Sequence, residues 1–135
     1  REFPFPREKV FASFASYQAM AAWFGPHGAV VIEGSLNFEL GGHYRLVIEG
    51  DGKNVVKGIY QEIIPPEKLA FTWQWEPKDD MPTEEMEITI EFRELSNQAT
   101  ELYLKQVKVP AQSVAESHAR GWGETFERLA TTLES

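Results

Sequence analysis

The chain has 135 residues, 42% hydrophobic and 25% charged, a length and balance suited to one domain with a buried core. Acids outnumber bases 21 to 13, for a formal net charge of −8, which argues against nucleic acid as a partner and against docking on anionic lipid. The longest apolar run, Ala19–Phe24, falls far short of the ~20 residues a membrane-spanning helix needs, and the lack of cysteine excludes disulfides, thiolate zinc sites and a cysteine nucleophile. The expectation is a cytoplasmic single domain over residues 1–135, with no repeat, linker or membrane insertion. No signal-peptide pattern is present, although a chain that opens on Arg1 leaves a trimmed leader open.

In chain order, Pro6 suits the first turn of a helix, where its missing N–H needs no partner. Val10, Phe11 and Phe14 share one face of that short helix, which ends near Ala15. Ser16 is placed to cap a second helix, Tyr17–Phe24, and Gly25-Pro26 stops it. From Ala29 to Val109 the hydrophobic period changes to two. Strands are predicted at Ser35–Leu40, His43–Glu49, Asn54–Ile64, Lys68–Trp75, Glu84–Glu94 and Thr100–Val109. Gly41-Gly42, Gly50-Asp51-Gly52, Pro65-Pro66 and Ser96-Asn97 supply the turns between them, so the strands form an antiparallel meander. Met86, Ile88, Ile90 and Phe92 alternate with Glu87, Thr89 and Glu91, which predicts one wet and one buried face. Beyond Pro110, Ala115, Ala119, Trp122, Phe126, Leu129 and Leu133 form the apolar stripe of a long helix. Ser113 and Glu116 resemble a capping box at its start. Gly121 and Gly123 flank Trp122, as a close approach to the sheet or a bend would require.

Two small helices, a sheet with one wet face and a long amphipathic helix make an α+β domain, since only the long helix can cover the sheet. As the sheet coils away from the helix, side chains fill the gap or leave a pocket. Many large rings are available to line it, more than are expected to interdigitate around one helix. The candidate ligand-binding residues are Phe14, Trp23, Phe38, Tyr44, Trp73, Trp75, Met86, Trp122 and Phe126, with His118 as the polar anchor.

Trp23-Phe24-Gly25-Pro26, Gly41-Gly42-His43-Tyr44-Arg45, Gly58, Ile64-Pro65-Pro66-Glu67-Lys68-Leu69, Phe71-Thr72-Trp73 and Gly121-Trp122 follow one another along essentially the whole chain. In that order they resemble the START-like (SRPBCC) helix-grip superfamily, in the branch of the activator of heat-shock-protein ATPase. The resemblance implies six or seven strands around a C-terminal helix with an internal hydrophobic cavity. It implies little about chemistry, because members bind lipids, polyketides or other apolar molecules and a few act on them. The first strand, long in this fold, is reduced here to about Arg1–Phe3.

No serine-hydrolase elbow, zincin pair or phosphate-binding loop occurs, and Asp51-Gly52-Lys53-Asn54 lacks the following oxygen ligands of a calcium loop. Neither a metal site nor a cofactor is expected. His27 and His43 read as solvated, with a lid over the cavity mouth as the alternative for the His27 loop; His118 reads as bonded to a backbone carbonyl or solvent or, at the cavity edge, as a ligand contact or acid/base. Arg45 alternates with Tyr44 and Leu46, so it points outward. Glu76, Asp79, Asp80, Glu84, Glu85, Glu87, Glu91 and Glu94 form an acidic stretch that reads as a solvated face or as a dock for a basic protein. The leading expectation is a non-catalytic carrier or sensor of a small apolar molecule, which would enter beneath the Trp23–His27 loop and the mouth near Trp75–Pro82. The alternatives are an interaction or chaperone-regulator module using the acidic 76–94 surface, and an enzyme that pairs His118 with a carboxylate. An exposed edge strand would allow a homodimer.

Overall fold

The alternation between Met86 and Phe92 is realised in full: Met86, Ile88 and Ile90 are wholly buried and Phe92 is 1% exposed. The computed structural model describes residues 1–50, 52–78 and 82–134. Asp51 of the predicted Asp-Gly turn, and Asp79 and Asp80 of the acidic stretch, lie outside the described residues. The strands are β1 (Glu2–Phe3), β2 (Val30–Leu36), β3 (His43–Gly50), β4 (Gly52–Ile64), β5 (Lys68–Trp75), β6 (Met86–Ser96) and β7 (Ala99–Val107). The helices are α1 (Arg7–Ala12), α2 (Tyr17–Ala21) and α3 (Gln112–Leu133). The strands form one antiparallel sheet in the order β1-β7-β6-β5-β4-β3-β2, an α+β helix-grip arrangement. The short first strand pairs with β7 and is fastened by the Arg1 amino group, which donates to the Leu102 carbonyl at 2.9 Å.

Several local expectations need correction. The strand placed at Ser35–Leu40 is β2, Val30–Leu36. Residues Asn37 to Gly42 instead form a turn, in which the Gly42 N–H donates to the Glu39 carbonyl at 2.8 Å and Leu40 is 73% exposed. The second helix is capped by Ser16, whose hydroxyl accepts from the Ala19 N–H at 3.1 Å, but it ends at Ala21 rather than Phe24. The capping box of α3 does not form: Ala111 is the N-cap and makes no side-chain bond there. Its stripe also shifts along the first turns. Ala119 is exposed, and Val114, His118 and Thr125 join Trp122 on the inward face. Neither helix glycine allows a close approach to the sheet, because a Cβ on Gly121 or Gly123 would meet nothing within 4 Å.

One side of the interior is solid. Phe14 meets Trp23 edge-on at 4.8 Å, and both Phe11 and Phe14 meet Phe92, at 5.1 and 5.3 Å. Phe38, Tyr44, Tyr60 and Phe71 continue the cluster with centroids 5.2–6.1 Å apart. Edge-to-face packing lets many rings share a small volume. The expectation that so many could not interdigitate therefore fails on this side.

Candidate functional site

The other side is hollow. A cavity of about 450 Å³ lies between the sheet and the first turns of α3. The loop Phe24-Gly25-Pro26 forms one wall, and Ile48, Asn54, Trp73, Trp75 and Pro82 form the sheet side. Opposite them stand Ser113, Val114, Ser117, His118, Gly121, Trp122 and Thr125. The space follows from the sequence of α3: at Ser113, Ser117 and Gly121 the helix presents small side chains or none, with open room beside Gly121. Among the described residues, no charged side chain lines the cavity.

Its polar groups form a chain. The Trp75 indole N–H donates to His118 Nε2 at 3.2 Å, and His118 Nδ1 lies 2.8 Å from Gln106 Nε2. The Gln106 carbonyl oxygen accepts from the Trp122 indole at 3.2 Å, and its amide nitrogen contacts Met86 Sδ at 3.2 Å. Trp73 packs edge-on against Trp75 at 5.3 Å and against His118 at 5.9 Å, and its own buried indole nitrogen has no partner among the described residues.

Burial holds the His118 imidazole below its ordinary value of 6.5 and so keeps it neutral near pH 7. The unfolded chain therefore takes up more protons than the native one just below pH 6.5, and stability falls as the pH drops from there toward the lower native pKa. Relative to a His118→Gln variant, the wild type is expected to lose urea resistance below pH 6.5 and to differ by a constant amount above it.

Four of the ten sequence-nominated residues, Trp73, Trp75, His118 and Trp122, line this cavity. Phe14 and Tyr44 border a second void of only about 10 Å³, too small for a guest. Tyr44 donates its hydroxyl to the Thr72 carbonyl, and burial, then the neighbouring Tyr60, pushes its pKa well up. Trp23 is fully buried, its indole N–H donating to the Ser13 carbonyl at 3.1 Å. Phe38 stacks edge-on against Phe11 and Tyr60, at 5.9 and 5.2 Å. Met86 and Phe126 stand behind the wall, against Gln106 and Trp122 respectively. The Trp23–His27 loop, expected as a cover for the mouth, supplies Phe24, Gly25 and Pro26 to the wall, whereas sequence reasoning missed Ile48, Asn54, Gln106 and the small residues of α3. For Gln106 a signal exists: it shares the inward register of β7 with Leu102 and Leu104, a polar residue where an apolar one is expected.

Arg128 holds the loop wall. One guanidinium nitrogen, Nη1, reaches the carbonyls of Phe24, Gly25, Pro26 and Ala29 at 3.4, 3.0, 3.2 and 2.7 Å. His27 adds an exposed contact to Glu127 at 3.1 Å. Arg128→Ala is expected to cost about 2 kcal/mol and to speed amide exchange in residues 24–29, read by urea melts and by hydrogen exchange. Arg45 points outward as expected and grips Glu76 at 2.7 Å, which holds that carboxyl below its usual range. Three more members of the acidic stretch are paired: Glu87 with Lys108, Glu91 with Arg93 and Glu94 with Arg7. Among the described residues, no cluster of three or more potential ligands could hold a metal ion, and no helix is long and apolar enough to cross a membrane.

A seven-stranded antiparallel sheet around a long C-terminal helix, with a cavity between them, defines a START-like helix-grip protein. Residues 4–134 match the family described as activator of Hsp90 ATPase homolog 1-like protein, and the chain belongs to that family. Among solved structures it is similar to a Chromobacterium violaceum protein, at 28% identity and a TM-score of 0.86 over 100% of this chain and 94% of that one. It is also similar to an AHSA1 protein of Silicibacter pomeroyi, at 25% identity and a TM-score of 0.85 over 99% and 94% of the two chains. An HSP90 activator of Plasmodium falciparum shares the fold at 21% identity, with a TM-score of 0.75 over 98% and 91%. No protein of curated function matches the sequence.

Proposed function

We propose that the protein binds a small, largely apolar molecule between its sheet and α3, as a non-catalytic carrier or sensor. The observation that carries this is the cavity of about 450 Å³ walled by Trp73, Trp75 and Trp122, a size and lining typical of small-molecule sites. Family membership is consistent with ligand binding. His118 supports a binding role over a catalytic one: its ring nitrogens engage an indole and an amide rather than a carboxylate that could drive proton transfer.

Native mass spectrometry of freshly purified protein is expected to show a fraction carrying a small apolar guest. Titration with neutral planar compounds is expected to quench tryptophan emission. Bare protein mass together with unchanged emission overturns the proposal.

A further inference from the structure

The Trp75–His118–Gln106–Trp122 chain does not balance its protons. An indole nitrogen only donates, so Trp75 at one end and Trp122 at the other both point a hydrogen inward. Accepting from Trp75 leaves His118 Nε2 without a proton, so the neutral ring carries its hydrogen on Nδ1, facing Gln106. The Gln106 amide is then caught between two donors. With its oxygen toward Trp122, its NH₂ meets the His118 N–H at 2.8 Å; turned over, the NH₂ meets the Trp122 N–H instead. Protonating His118 makes matters worse, since Nε2 then opposes Trp75 as well. Every tautomer and amide orientation leaves this chain one acceptor short. The Trp73 indole N–H also lacks an acceptor among the described residues, but it is closed off from the cavity, so Trp73 offers a guest its ring and not its N–H. Leaving such donors unpaired is costly in an apolar setting.

Resting on the ligand-binding reading above, we propose that the occupant is a neutral planar molecule with an acceptor-only polar group, a ketone or quinone oxygen, seated against Trp73 and this chain. A carbonyl oxygen accepts two hydrogen bonds and donates none, so it relieves the surplus, while fused rings cover the indole faces. A hydroxyl brings a donor of its own along with its two lone pairs, so it relieves the surplus less than a carbonyl oxygen does. An anion finds no cationic side chain among the described residues of the wall and gives up its hydration for nothing.

The test uses three probes of one shape on the intact protein: fluorenone, fluorene and fluorene carboxylate, with affinities from tryptophan quenching at pH 8. Fluorenone is expected to bind about tenfold more tightly than fluorene, with the carboxylate weaker than fluorenone. In Gln106→Glu the carboxylate side chain accepts from both His118 and Trp122, so the preference for fluorenone over fluorene is expected to fall several-fold. Equal affinities for fluorenone and fluorene overturn this inference and leave the cavity's binding role standing. Tightest binding of the carboxylate overturns the neutral assignment. An undiminished preference in folded Gln106→Glu overturns the role of the chain, and failure of all three probes to bind overturns this inference and, with bare protein mass, the binding reading itself.

Discussion

Replacing Gly121 by leucine is expected to abolish guest binding while making the fold more resistant to heat. Glycine inside a helix costs up to ~1 kcal/mol relative to good helix formers, and at this position a side chain meets open space rather than neighbours. A leucine there projects into the cavity that Gly121 lines, taking up volume a ligand would occupy. Gly123→Ala is the control. It has the same open surroundings but does not line the cavity. Both variants are expected to gain about 3 °C in melting temperature, and Gly121→Leu alone to lose affinity by about a hundredfold or more. Loss of stability in Gly121→Leu would show that the space beside the helix is not there.

The opposite result is expected at Gly58. Tyr44, its cross-strand partner on β3, lays its ring over this glycine and donates its hydroxyl to the Thr72 carbonyl on β5. The Ile59 N–H turns to the Thr72 hydroxyl at 2.8 Å, so strand pairing here runs partly through side chains. A Cβ on Gly58 would fall 2.0 Å from the Thr72 carbonyl oxygen and 2.6 Å from the Tyr44 ring. Backbone in the middle of a sheet cannot step aside as a flexible side chain can. Gly58→Ala is expected to cost about 3 kcal/mol or more, seen as a lower urea midpoint with an unchanged slope. A midpoint within error of the wild type would mean that the sheet opens between β4 and β5 at little cost.

What was legible in the sequence followed the strength of the local pattern. β5 was placed at its observed bounds, Lys68–Trp75, because Pro65-Pro66 marks the turn before it and its rings alternate. β6 was read from four buried apolar residues in strict alternation. β2 was misplaced because Glu33 and Gly34 interrupt its pattern where its register with β3 shifts, and exposed Leu40 extended the apolar signal into a turn. In α3 the alanines drew the stripe toward Ala119, although the inward face is carried by Val114 and His118.

The candidate site divides in the same way. Trp73 and Trp75 share a face by strand period, and His118 and Trp122 by helix period, so all four could be nominated together. The Trp23–His27 loop could be named as a cover for the mouth, but its seat as a wall could not be read. Its position depends on Arg128, which lies 104 residues from Phe24 along the chain. The hydrogen-bond chain was equally hidden, since it joins β5, β7 and α3, elements that no local window spans.

The solid and hollow sides of the interior have separate consequences for how such a chain can change over generations. Substitutions among Phe11, Phe14, Trp23 and Phe92 disturb rings that lock one another, and each carries a penalty to folding. Gly121 stands beside open space where a side chain can grow with little effect on the framework, on the same cavity wall as Ser113 and Ser117. The cavity wall can therefore be reshaped from the helix side without disturbing the locked rings.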